Sequence, residues 1–511
     1  MSTSRRDFIR YVVAGSIAAG CPVDLSLSAT EPSAIEVDGE HNQVCHEIRD
    51  GKKFAHPPAT AKHDVVIVGG GVSGLTSAYL LRDKDFLLLE KEPHWGGNSY
   101  LEAYNGVAYA TGGAFTEGET MKEFTTGLGL PYLPVDNWDG TIVNGEFVAD
   151  TWSAGLDRLP YPQNVRDNFK KFRDEMVKID LKSRAAELDN VPLSKFTAGY
   201  GPELLAWWDG FGPSNWGART DETAAMLGIY EVQNAAGAHR MDDRMTWPGG
   251  LGAINKKLTE IMQPHSDRML LNAATVAVVP QKHGVNVTYL RDGKLQTVEA
   301  KGVIMATPKF ITVRMVEGMP QKQKDAIARM RYIPYAVVNL VYDKPVFNSG
   351  YDTWCPGNTF TDFIVADWTV RNQPGYKQKY NILTCYTPLR REQRSILLTE
   401  EGSRQLAANV LRDFKKLLPE TNADPVEVQI YRRGHPLYQS LPGNYTQVLP
   451  HVRQPMERVF FANTDSEGPV STTPDGIKAA RRAVKEYEKM TAGSWVAVST
   501  WLLGAISLPA C

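Results

Sequence analysis

Residues 64–98, DVVIVGGGVSGLTSAYLLRDKDFLLLEKEPHWGGN, constrain this chain more than any other stretch. Asp64 to Val68 is a short apolar, β-branched run, the pattern of a parallel strand buried on both faces. Gly69, Gly71 and Gly74 follow as G-x-G-x-x-G, and Leu75, Ala78, Tyr79 and Leu81 then fall at helical spacing. Phe86 to Leu89 is a second apolar strand that ends at Glu90. The first glycine permits a tight strand-to-helix turn, the second lets backbone approach a pyrophosphate, and the third lets helix pack on sheet. Val72 and Ser73 open the helix, whose unpaired N–H groups would face the phosphates. Glu90 stands roughly 20 residues beyond the first glycine, where a carboxylate binds a ribose 2′-OH. These parts together predict a dinucleotide site in a βαβ unit.

A chain of 511 residues with 42% hydrophobic residues can bury a substantial core. Its net charge of −2 gives no reason to expect a nucleic-acid partner. The cysteines are Cys21, Cys45, Cys355, Cys385 and Cys511, with no C-x-x-C, so neither a zinc knuckle nor covalent c-type haem is suggested. Cys355 and Cys385 remain open to pairing or to standing free. Val165 to Lys182 carries Phe169, Phe172, Met176 and Ile179 at steps of three or four, an amphipathic helix. Trp207, Trp208 and Trp216 form a dense aromatic patch. Asp292-Gly293, between two apolar runs, is a hairpin signal.

After Glu90 and Lys91 come Trp95-Gly96-Gly97-Asn98. This Gly-Gly pair just past the ribose acid resembles the extended FAD fingerprint of the flavin-dependent amine oxidase superfamily, in which an Arg usually follows the pair and contacts phosphate. This chain carries Asn98 there. Other segments resemble the same superfamily in order. Thr111-Gly112-Gly113-Ala114 matches a Gly-Gly segment that passes under the flavin. Thr246-Trp247-Pro248-Gly249-Gly250 matches its P-G-G segment, and Val276 falls where backbone contacts adenine. Lys301 to Pro308 matches a "VI-x-A-x-P" strand. Ala462-Asn463-Thr464-Asp465 stands where the superfamily has "FAGE", and Thr472 to Ile477 opens a helix whose N-terminus faces the flavin. The resemblance therefore implies FAD, with Gly69, Gly71, Val72, Ser73, Gly74, Glu90, Lys91, Gly97, Asn98, Gly112, Gly113, Ala114, Val276, Asp465 and Gly476 at the cofactor. Lys309 and Arg314 compete for the family's lysine that holds a water near flavin N5, and neither matches its spacing. Thr473 takes the place of a family tyrosine. Lys309 and Thr473 are the candidate catalytic residues. No second glycine fingerprint is visible, so a nicotinamide partner is not expected.

Residues 1–30 resemble a twin-arginine export signal: Ser4-Arg5-Arg6-Asp7-Phe8-Ile9-Arg10 precedes a small apolar run too short to span a bilayer. That predicts a periplasmic protein, and Ala18-Ala19-Gly20-Cys21 raises lipidation of Cys21 as an anchor. Residues 31–63 read as a linker or N-terminal arm. Within them, Val44-Cys45-His46-Glu47-Ile48-Arg49-Asp50-Gly51 resembles the arm of bacterial spermidine dehydrogenases, which bind haem b beside FAD. Carried over, His46 is a candidate iron ligand, against the plainer reading of an arm lying over the catalytic domain. Residues 494–511 are uncharged and apolar, and could touch a membrane surface, pack on the protein or mediate association.

The expected fold is α/β: a Rossmann-type FAD domain in three segments, 64–115, 246–310 and 456–490, with an inserted α+β substrate domain at 116–245 and 311–455 and an apolar tail at 491–511. The expected function is an exported FAD-dependent oxidoreductase that oxidises a C–N bond of a small amine, including a polyamine, by hydride transfer to flavin, with the electron acceptor unassigned. A C–C desaturase or protoporphyrinogen-oxidase-like enzyme, and a non-catalytic FAD-binding partner in an envelope complex, share the same fingerprint.

Overall fold

The computed structural model describes residues 35–135, 139–236, 243–371, 373–419 and 423–493. The export signal, Cys21, Cys511 and the apolar run from residue 494 lie outside the described residues. Among the described residues no helix is long and apolar enough to cross a membrane.

The opening unit folds as its pattern dictates. Ala61–Val68 is a strand, Val72–Leu80 a helix and Phe86–Leu89 a parallel strand in register Val65↔Phe86 to Val68↔Leu89. Successive residues of a strand point to opposite faces, so a continuous apolar run serves two cores. Val66, Val68, Leu87 and Leu89 enter one core, with Val276, Val278, Val285 and Ile311. Val65, Ile67, Phe86 and Leu88 enter the other, under the helices Val72–Leu80, Gly252–Met262 and Thr473–Thr491.

Three distant segments complete this sheet. Its order is Met269–Leu270, Phe86–Leu89, Ala61–Val68, Lys294–Met305, Val285–Arg291, Ala274–Pro280, and Val459–Phe461 pairs with the upper end of Lys294–Met305. The hairpin expected at Asp292-Gly293 is present, with φ of 49° and 72°. The strand after it runs unbroken through Gly302, where the sequence suggests two strands.

A second, eight-stranded sheet runs Ile35–Gly39, Glu427–Tyr438, Tyr332–Tyr342, Asn381–Pro388, Asp362–Val365, Asp352–Trp354, Gly140–Val143, Glu146–Val148. One face packs on the helix Glu400–Leu417 through Val338, Leu340, Leu383, Val410 and Phe414. The other turns Val337, Ile364 and Tyr386 toward the first sheet's side. Helices Gln163–Met176, Leu181–Asp189, Pro202–Trp216 and Ala225–Ala236 close over it around Trp152, Phe169, Phe172, Trp207 and Trp208. The amphipathic run expected over 165–182 is two helices: the first ends at Met176, and Asp180 caps the next by accepting from Ser183 N at 3.1 Å. Cys355 and Cys385 are buried free thiols, so the disulfide left open by the sequence is not formed.

The N-terminal arm is built in. Ile35–Gly39 lies parallel to Glu427–Tyr438, and the helix Gln43–Arg49 buries Ile48 in the first core.

Candidate functional site

Each glycine of the turn meets a different demand. A Cβ on Gly69 would lie 2.8 Å from Ala306 O, and one on Gly74 only 1.7 Å from Gly69 O. A Cβ on Gly71 would meet nothing nearer than Gly97 Cα at 3.8 Å. The space beside Gly71 is open, and it belongs to a cavity of about 600 Å³ lined also by Gly69, Val72, Ser73, Glu90, Lys91, Gly97 and Asn98. The helix Val72–Leu80 starts there with no side-chain cap, leaving its first N–H groups for an anion. Gly96 N donates to Gly70 O at 2.9 Å, which holds the second Gly-Gly loop against the first. The buried Glu90 carboxylate accepts from Gly70 N and Glu92 N, and burial raises its pKa. It retains lone pairs for a sugar hydroxyl. Thr275 Oγ1, also on this cavity, is buried without a partner among the described residues. An open glycine, a bare helix N-terminus, a ribose carboxylate and an orphan hydroxyl fit FAD.

Several expected contacts lie elsewhere. Val276 sits at an irregularity of the strand and faces the core, while Ala273, Ala274 and Thr275 line the cavity. Asp465 lines neither of the two cavities described here: it accepts from Lys309 N at 2.8 Å, Lys309 Nζ at 2.9 Å and Tyr332 OH at 2.6 Å. Its neighbours Asn463 and Thr464 reach the cavity instead. Lys309 is fully buried in that same ion pair, so its ammonium is unavailable to a water at the flavin. Burial lowers its pKa and Asp465 opposes that shift. Gly476 packs helix on helix, since a Cβ there would lie 2.9 Å from Ser73 Oγ. Gly112, Gly113 and Ala114 line a second cavity rather than the first. Arg314 and His46 line the first cavity on the side of the arm.

The second cavity, about 460 Å³, has aromatic walls from Phe211, Trp216, Tyr335, Trp354 and Tyr386. Six carboxyl groups line it: the five acids Glu117, Asp139, Glu231, Asp352 and Asp362, and Asp475 of the helix Thr473–Thr491. Arg244 is paired with Asp139 and lies over the Phe115 ring. Burial, followed by the Glu117 and Asp139 charges, pushes Glu231 up to about 8. Burial raises Glu117 and Asp352 as well, and Asp362 up to about 7. Ser214 Oγ donates to Asp362 at 2.9 Å. The two cavities share a wall made by Asn98, Ser99, Arg433, Pro436, Ser471, Thr472 and Thr473. Thr473 thus stands at the junction, at the start of the helix Thr473–Thr491. The five acids and Arg433 escaped sequence reasoning because none carries a local motif; they converge only when distant strands and helices assemble.

The family pattern for flavin containing amine oxidoreductases matches residues 72–486, more than half of the chain. The chain belongs to this family. Oxidoreductase PigB from Serratia sp. is 24% identical over 499 residues, covering 80% of this chain and 73% of that protein. The human flavin-containing amine oxidase B is 24% identical over 461 residues, covering 83% and 86%. A solved structure of putrescine oxidase with putrescine bound shares the fold, with a TM-score of 0.64 at 18% identity, covering 83% of this chain and 98% of that one. As a flavin amine oxidoreductase, the protein is an FAD-dependent oxidoreductase with a Rossmann-type cofactor domain.

FAD, once bound, would supply the redox chemistry at this site. The backbone N–H groups at the start of the helix Val72–Leu80 and the Glu90 carboxylate would hold the dinucleotide. The second cavity meets the first at Thr473, with aromatic side chains on its walls.

Proposed function

We propose that the protein is an exported oxidoreductase of aliphatic polyamines. The observation that carries this reading is the second cavity. It gathers Glu117, Asp139, Glu231, Asp352 and Asp362 around a space that opens on the cofactor junction. Carboxyl groups crowded in a dry pocket resist ionisation. A substrate with several ammonium groups relieves that repulsion, and its reacting nitrogen can pass a proton to a carboxylate and enter as the neutral amine. A porphyrinogen carries carboxylates and would meet like charge; a polyene precursor would leave the acids unpaired.

The test is anaerobic reduction of the purified protein. Spermidine or putrescine should bleach the flavin band near ~450 nm, as for any flavoprotein, faster than a monoamine of similar length. Flavin that a monoamine reduces equally well, or that no amine reduces, overturns the polyamine reading. Export rests on the Arg5-Arg6 pair and the apolar run behind it. Replacing both arginines with lysine should leave the protein in the cytoplasmic fraction.

The first cavity also favours a second group beside FAD. Its lining includes Arg49, Arg314, Arg331, Arg391 and Arg394 together with the apolar Phe310, Ile311 and Met315. His46 and His435 line the same cavity, and the His435 ring packs on Phe310 with centroids 4.5 Å apart. Burial lowers both imidazoles, His435 to about 4, so they stay neutral at physiological pH. Neutral imidazole, apolar floor and cationic rim suit a dianionic haem, with His46 as ligand. A Soret band lost in His46→Ala supports it; a spectrum of flavin alone in protein grown with haem overturns it.

A further inference from the structure

Arg433 is a buried cation with no ion-pair partner among the described residues. It stands on the strand Glu427–Tyr438 of the second sheet, yet it lines both cavities at their shared wall. One Nη donates to Thr111 O at 2.5 Å, the other lies 3.4 Å from Thr111 Oγ1, and the guanidinium lies over the Tyr100 ring at 5.8 Å. Burial lowers its pKa, and Tyr100, Glu40, Tyr431 and Asp38 oppose that shift from a distance. A buried guanidinium without a carboxylate is costly. An anion at the junction would repay that cost. The residue after the Gly-Gly pair supplies none of the missing charge: Asn98 is neutral and tied by its Nδ2 to Pro436 O at 3.2 Å, on the same strand as Arg433.

Several other cations on the first cavity are already engaged. Lys91 binds Glu92 and Arg49 binds Asp50, while Arg394 donates to Tyr332 O and Gly434 O. We propose that Arg433 is the cofactor's cationic contact at the junction, reaching across from the substrate sheet to an anionic part of FAD. That part is either the pyrophosphate or the isoalloxazine ring once reduction has given it negative charge. The proposal rests on the FAD assignment, not on the polyamine substrate.

Two variants separate charge from packing. Arg433→Gln keeps a donor for Thr111 O and removes the charge; Arg433→Lys keeps the charge. FAD affinity is read by titrating apoprotein, the flavin potential by equilibration with a reference dye, and folding by the apoprotein melt. In the Gln variant, FAD binding at least about tenfold weaker, with the potential unmoved, identifies the pyrophosphate. A lowered potential with unchanged affinity for oxidised FAD identifies the reduced ring. The Lys variant should recover most of either effect. The proposal is overturned if the Gln variant matches wild type in both readings. It is equally overturned if the Lys variant fails as the Gln variant does, which would reduce Arg433 to a packing and hydrogen-bonding role. Failure of every amine to reduce the flavin would leave these readings intact.

Discussion

Gly71 and Gly74 lie three positions apart and answer to different masters. A methyl on Gly74 would strike Gly69 O, backbone that cannot yield, whereas a methyl on Gly71 would project into open cavity. Gly74→Ala is therefore expected to destabilise the apoprotein by about 3 kcal/mol or more. Gly71→Ala should leave its melt unchanged, because φ there is an ordinary −76°, yet weaken FAD binding. An apoprotein melt and a flavin titration on the pair check this. The acids make a different prediction. Glu231 is held up to about 8 and Asp362 up to about 7, chiefly by burial, both above the roughly 4 of an unfolded carboxyl. The folded state keeps protons that the unfolded chain has released. Their contribution is full below about pH 4 and is lost as pH climbs through 7 and 8. Substrate-free protein should melt lower at pH 8.5 than at pH 5.5, and Glu231→Gln should flatten that difference; an unaltered slope would count against it. The glycines were legible in the sequence because their task is local. Asp465 and Lys309 were misread because each satisfies the other in the core, and no motif announces a buried pair.

Elements show the same boundary between local and distant information. Phe169, Phe172 and Met176 mark a helix plainly, but its end was hidden, since Val177 to Ile179 continue the apolar period while Asp180 starts a new helix by capping it. The sequence suggests one strand ending at Glu299 and another starting at Lys301; in the fold they are one continuous strand, in which a Cβ on Gly302 would press on the Tyr487 ring, so that glycine serves helix packing. The arm is the element with most at stake. Its helix Gln43–Arg49 is too short to persist alone. It is held by Ile48 and by His41, whose backbone N and ring Nδ1 reach the Glu92 carboxylate at 3.0 and 2.7 Å beside the cofactor cavity. A protein beginning at residue 51 is expected to release FAD several-fold faster on dilution, read by the recovery of flavin fluorescence. Equal release rates would make the arm a passive strap.

At the scale of the molecule, the first sheet presents the cofactor cavity, and the acids come from the second sheet, through Asp352 and Asp362, and from the helices and loops around it. The FAD half is readable in 35 consecutive residues, 64–98. The acid half draws on residues from Glu117 to Asp362 and exists only once both sheets and the helical cover are in place. That division sets a kinetic expectation. Glu117→Gln together with Glu231→Gln should raise KM for a polyamine about tenfold or more while changing KM for a monoamine little, because each lost charge pair touches only the distal ammonium groups. Parallel losses for both substrates would place these acids at the reacting nitrogen instead.

The strand Lys294–Met305 pairs with Ala61–Val68 on one side and with Val459–Phe461 on the other. A ribosome delivers the nucleotide cradle long before it delivers Val459–Phe461 of the same sheet. The cradle must wait, unclosed, while the intervening chain is made. Loading of the flavin is thereby tied to synthesis of that late strand, so a product truncated or stalled before it has no competent half-enzyme to offer and competes poorly for a scarce vitamin.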